Sequence, residues 1–207
     1  PVTAFMAVGP KAASLVAFYR VLSEAMPNLS DSWGTLLSII AVLSMFIGNL
    51  GAIVQTNIKR LLAFSSVAHV GYLLIAIIAK NSLSSASLIF YILTYAFMIF
   101  GVFGIVILIG NKGNENLELE NYSGLAYKHP VIALAMTIFL LSLGGLPPLA
   151  GFVAKFYVFS AALKEGFLAL VVIAVLNSAI SFYYYLKVIV FMYMKEPIKE
   201  FNVTLSP

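Results

Sequence analysis

From residue 85 to residue 110 the chain runs without one charged side chain, and apolar runs of comparable length lie near 2–22, 33–56, 60–79, 130–163 and 167–194. About twenty apolar residues make a helix long enough to cross roughly 30 Å of hydrocarbon, and the ten-residue alternation of barrel strands is absent. The chain is therefore expected to be an all-α membrane protein of about six transmembrane helices. Composition agrees: 62% of residues are hydrophobic, 10% are charged, and mean hydropathy is +1.02, far from the balance of a soluble domain. The lipid bilayer is its first partner.

Several function classes fall away on composition. With no cysteine in the chain, disulfides, thiolate metal sites and iron–sulfur clusters have no ligands here. Haem is not expected, because the second histidine that an axial pair would need, His129, sits in a hydrophilic loop. The +4 net charge comes from cations at the ends of apolar runs, the placement typical of membrane loops, so nucleic acid is not an expected partner. Glycine-rich nucleotide fingerprints, metal-ligand clusters and nucleophile triads are missing as well.

The link "MPNLSDS", Met26 to Ser32, carries a proline and capping residues, while Gly110 to Pro130 is the one long hydrophilic loop and is expected to be a solvated surface segment. Residues 195–207 form a polar tail. The chain opens on Pro1 directly before an apolar run, which reads as an internal stretch of a longer chain. If every run spans, Lys59, Arg60, Lys112, Lys128, Lys187, Lys195 and Lys199 share one side and Arg20, Lys80 and Lys164 the other. Seven against three places the first group, and the start of the chain, in the cytoplasm, with Lys187 snorkelling.

The fifth run is too long for one crossing. Its 34 residues would make a helix of about 51 Å, so it must tilt strongly or break. Gly144, Gly145, Pro147 and Pro148 provide the break. Discontinuous helices are where transporters build ion sites, since freed backbone groups at membrane depth must face protein or water. Lys155 then lies two turns into the second half, near mid-membrane. "AVGPKAAS" repeats the device more weakly, with Gly9 and Pro10 before Lys11.

A lysine at a helix centre costs about 2.5–3.5 kcal/mol on insertion scales, so Lys11 and Lys155 either face the bundle or snorkel to an interface. A lysine held out of water can exchange between charged and neutral forms near physiological pH, as a proton carrier must. His69 in "SSVAHVGYLL" either carries protons or is a histidine satisfied inside the bundle. Ser65, Ser66 and Tyr72, at helical spacing around it, either extend a hydrogen-bonded chain or pack helices. Lys59 is a cytoplasmic anchor or a channel entrance. Asn49 and Asn177 read as interhelical hydrogen-bonding residues, and "FYYYLK", Phe182 to Lys187, as an interfacial belt or part of a site. Every carboxylate (Glu24, Asp31, Glu115, Glu118, Glu120, Glu165, Glu196 and Glu200) falls outside the apolar cores.

Three segments together, "GNLGAIVQTNIKRLLAFSSVAHVGYLLIA" (48–76), "LSLGGLPPLAGFVAKFYVF" (141–159) and "SAISFYYYLKV" (178–188), resemble the antiporter-like membrane subunits of respiratory complex I, closest to the subunit N branch. The resemblance implies a fourteen-helix fold of two inverted five-helix repeats. Residues 1–22 would be the last helix of the first repeat and residues 33–194 the second repeat. It implies proton translocation coupled to quinone reduction, without redox chemistry in this chain. Lys11 matches the lysine linking two half-channels, Lys155 the lysine of the second broken helix on the exit path, and His69 a position on the polar central axis. NADH, FMN, iron–sulfur clusters and quinone would belong to other subunits, and the other membrane subunits of the complex would be the partners, in a bacterial inner membrane. The family's intramembrane glutamate and a further lysine would precede Pro1. Alternatives that stay open are a multisubunit sodium/proton antiporter, a related hydrogenase or photosynthetic complex, and a structural membrane anchor.

Overall fold

A computed structural model of the chain describes residues 2–25, 30–110 and 117–197. Lys112, Glu115, Lys199, Glu200 and the side chain of Asp31 lie outside the described residues. The helices are α1 (Val2–Arg20, continued by a π-helical turn Val21–Ala25), α2 (Ser30–Ile53), α3 (Ile58–Ala79), α4 (Ser84–Ile109), the one-turn α5 (Leu125–Lys128), α6 (Pro130–Gly144), α7 (Ala150–Lys164) and α8 (Leu168–Met194). Among the described residues five helices are long and apolar enough to cross a membrane, counting α1 with its π turn, and α6 is a shorter apolar helix. The chain is an all-helical, multi-pass membrane protein.

The fifth apolar run is two helices of 15 residues each, about 22 Å apiece. α6 stops because Gly145 adopts a left-handed backbone (φ 93°) and its N–H closes back onto Leu141 and Ser142 carbonyls. Gly9 and Pro10, the weaker repeat of that combination, leave α1 unbroken: the helix runs through them. A single proline inside a helix removes one hydrogen bond, whereas two glycines followed by two prolines remove the donors and the conformational restraint of a whole turn.

α3 lies at the centre, buried along most of its length although Ala63 and Val67 stay exposed, while its neighbours bury one face and present apolar side chains such as Leu36, Leu43, Leu93 and Leu176 outward. Small residues permit this. A Cβ on Gly48 of α2 would strike the backbone of Phe64 and Ala68, and one on Gly71 of α3 would strike Met45 and the Ala41 carbonyl, so the two helices touch backbone to backbone. Asn49 Nδ2 donates to the backbone and side-chain oxygens of Asn177, both at 3.0 Å, and Tyr184 Oη donates to Asn49 Oδ1 at 3.0 Å, tying α2 to α8 as the polar residues led one to expect.

One end of the bundle gathers the start of α3, residues 117–128 and the end of α8. Asn57 Oδ1 caps α3 by accepting from the N–H groups of Lys59 and Arg60. Ile58 N–H donates to Leu117 O and Leu119 N–H to Thr56 O, both at 2.8 Å, and Lys187 Nζ donates to Gln55 O at 3.1 Å. The long loop is thus more than a solvated segment. Leu119, Tyr122 and Leu125 are buried beneath the bundle end while Glu118 and Glu120 stay exposed, a short apolar alternation that hydrophilic composition masked. Burial pushes the Tyr122 phenol pKa above its ordinary value. At the opposite end Lys80 closes α3 with its ammonium over the Trp33 ring (4.1 Å), and Asn81 Nδ2 donates to Ala161 O at 2.8 Å.

A buried row of proton-bearing side chains

A row of polar groups crosses the interior from α1 to the break between α6 and α7. It begins at Lys11, which is partly buried and does not reach an end of the bundle. Its Nζ donates to the Ser66 carbonyl at 2.8 Å and to Ser66 Oγ, contacts Tyr95 Oη at 3.5 Å, and stands 5.1 Å from the Tyr95 ring centre. The Tyr95 ring leads to His69, with ring centres 4.9 Å apart.

His69 is buried with both ring nitrogens engaged. Nδ1 lies 2.8 Å from Tyr91 Oη and Nε2 lies 3.3 Å from Tyr185 Oη, which in turn pairs with Ser65 Oγ. A hydroxyl both donates and accepts, so either imidazole tautomer is accommodated by turning the two phenol groups. Tyr72 follows, edge-on to His69 with ring centres 5.8 Å apart. Its face lies under Lys155, whose Nζ is 4.9 Å from the ring centre.

Lys155 is 3% exposed and closes the row. Nζ donates to the Gly144 carbonyl at 2.7 Å and to Ser178 Oγ at 2.8 Å. The Gly144 carbonyl is one of the acceptors that the helix break releases, so the glycine–proline segment and the lysine form one device. Gly151, one turn before Lys155 on the same face, brings α7 against α6: its N–H donates to Ser142 Oγ at 3.0 Å, and a Cβ there would overlap the Ser142 carbonyl oxygen.

The sequence-named residues distribute unevenly. Lys11, Ser65, Ser66, His69, Tyr72 and Lys155 come together in the row. Lys59 stands apart, half-buried in the first turn of α3 and two turns before Ser66 on the same helix face. Pro147 and Pro148 lie in the connection and contribute shape. Sequence reasoning missed Tyr91, Tyr95 and Ser178; the visible signal was a pair of tyrosines at i and i+4 inside an apolar run. The belt reading of "FYYYLK" fails for Tyr184 and Tyr185, which are fully buried, whereas Tyr183 alone is 60% exposed. Among the described residues no three of His, Cys, Asp and Glu converge. The donor set suits protons: amines, imidazole and phenols within or near hydrogen-bond reach.

A helical bundle with a broken helix and a buried lysine–histidine row defines an antiporter-like membrane subunit. Residues 1–181 match the transmembrane family described as NADH:quinone oxidoreductase/Mrp antiporter, and the chain belongs to that family. It is 49% identical over 202 residues to NADH-quinone oxidoreductase subunit N of Trichlorobacter lovleyi, across 98% of this chain and 42% of that protein. Among solved structures it is similar to a chain of respiratory complex I from Thermus thermophilus with bound aureothin (37% identity, TM-score 0.73, 84% of this chain and 39% of that one). It is also similar to a chain of the Mrp complex from Dietzia sp. (28% identity, TM-score 0.83, 93% and 36%). The chain thus spans less than half the length of these relatives.

Proposed function

We propose that this chain carries protons through the membrane arm of a complex I-type NADH:quinone oxidoreductase in a bacterial inner membrane. The observation that carries the reading is the buried row Lys11–Ser66–His69–Lys155, which links α1 to the helix break with cationic and neutral proton carriers, none of the described carboxylates lying within it. Lys11 would pass a proton through Ser66 and the phenol groups to His69, and Lys155 would release it at the α6–α7 break. Charge changes in neighbouring membrane subunits would move the equilibrium along the row, since unit charges a few ångströms apart interact by about 4 kcal/mol at an effective dielectric constant near 20. On this reading α1 ends one structural repeat and α2–α8 form the next, the end bearing Lys59, Arg60, Lys128, Lys187 and Lys195 faces the cytoplasm, and Lys59 marks an entrance there. NADH, FMN, iron–sulfur and quinone chemistry would reside in partner subunits, this chain having no cysteine to hold a cluster.

The test is Lys155→Ala in the full-length subunit, with NADH-driven proton uptake followed in inverted membrane vesicles and NADH oxidation by a soluble acceptor measured beside it. Uptake should collapse while the soluble-acceptor rate persists. Full uptake would overturn the reading and favour a structural anchor. A second reading, sodium/proton exchange, is favoured by the likeness to the Mrp complex chain. Sodium requires a cage of oxygen ligands, whereas the row is anchored by two ammonium groups, so we place it second; sodium-dependent transport without NADH oxidation would reverse that order.

A further inference from the structure

The row is interrupted at one place. His69 directs both nitrogens to Tyr91 and Tyr185, and Lys155 directs two of its three N–H bonds to Gly144 and Ser178. Neither group aims a hydrogen bond at the other. Between them stands Tyr72, edge to the imidazole and face to the ammonium.

Tyr72 is held mainly by packing. It is 1% exposed, its ring meets Phe159 edge-on at 6.2 Å, and its hydroxyl lies beside the Asn49 side chain. The Asn49 amide commits both N–H bonds to Asn177, and its oxygen, which accepts from Tyr184, keeps a second lone pair facing this cluster.

We infer that Tyr72 is the gate of the row, a positioning residue whose ring holds Lys155 by a cation–π contact and keeps it apart from His69 until the ring moves. In the arrangement described, the gate is closed. Opening it lets water bridge His69 to Lys155. The inference rests on the proton-path reading and adds the element that makes transfer along it conditional.

The discriminating substitution is Tyr72→Leu in the assembled complex carrying the full-length subunit. Passive proton back-flow is measured in inverted vesicles after NADH is exhausted, and the soluble-acceptor rate reports assembly. Leucine fills space without a π face, so back-flow should rise on the order of tenfold, the weight of a desolvated cation–π contact of about 1.4 kcal/mol or more. Tyr72→Phe, which keeps the face, should rescue tight coupling relative to leucine, and the double variant Tyr72→Leu/Lys155→Ala should lose the leak. Back-flow in Tyr72→Leu equal to the parent's, with assembly intact, overturns the gate while leaving the Lys155 result untouched. A leak that survives removal of Lys155 overturns it too, because protons would then be taking another route.

Discussion

Gly151→Ala removes no polar group, yet it should disable the row. Gly151 and Lys155 are one turn apart on the face of α7 that meets α6. An added Cβ at Gly151 overlaps the Ser142 carbonyl oxygen, a backbone atom at the end of α6 that cannot swing aside, so the two half-helices must separate by about 1.6 Å to restore ordinary contact. That shift carries Lys155 away from its acceptors. Hydrogen bonds of 2.7 and 2.8 Å to Gly144 O and Ser178 Oγ would stretch beyond about 3.5 Å, outside bonding range. Overpacking of this kind costs about 1–3 kcal/mol of stability, and misplacing a reacting group by about 1 Å costs on the order of a hundredfold in rate. In inverted vesicles, NADH-driven proton uptake should fall toward the Lys155→Ala level while the soluble-acceptor rate stays. Gly104→Ala is the control, since nothing lies within 4 Å of its added Cβ. Parental uptake and an unchanged melting temperature in Gly151→Ala would refute the claim that this close approach positions Lys155.

Two further outcomes concern stability. Tyr122→Phe should raise the melting temperature of the detergent-solubilised protein, by about 1 kcal/mol of stability, because the Tyr122 hydroxyl is buried without a hydrogen bond and its deletion removes only a desolvation cost. A lower melting temperature would show that the hydroxyl is satisfied. Asn49→Leu should lower it, since three interhelical hydrogen bonds are lost at about 0.6 kcal/mol each within a membrane and the Asn177 side-chain oxygen and the Tyr184 hydroxyl each lose a partner; parental stability would show that packing alone joins α2 to α8.

Hydrophobic run length, the count of crossings and the break near Gly144–Pro148 were legible along the chain, because spanning length and proline or glycine backbone effects are local properties. The isolation of Lys11, His69 and Lys155 within apolar runs was legible too, since a charge or imidazole in hydrocarbon stands out against its neighbours. Pro10 shows the limit of such reading: whether one proline breaks a helix depends on the packing around it, and α1 continues through it.

What only the tertiary structure decided is partnership. Tyr184 and Tyr185 read along the chain as belt aromatics and Tyr91 and Tyr95 as two tyrosines in an apolar run, and they become interior hydroxyls because α4 and α8 turn those faces toward α3. Ser178 and the Gly144 carbonyl, 34 positions apart, meet at one ammonium. Leu119, Tyr122 and Leu125 lie buried although the loop around them is hydrophilic. Local sequence sets what each helix is, from backbone preference and transfer free energy; which faces meet is set by where small residues such as Gly48, Gly71 and Gly151 let backbones approach, a relation between segments distant in sequence.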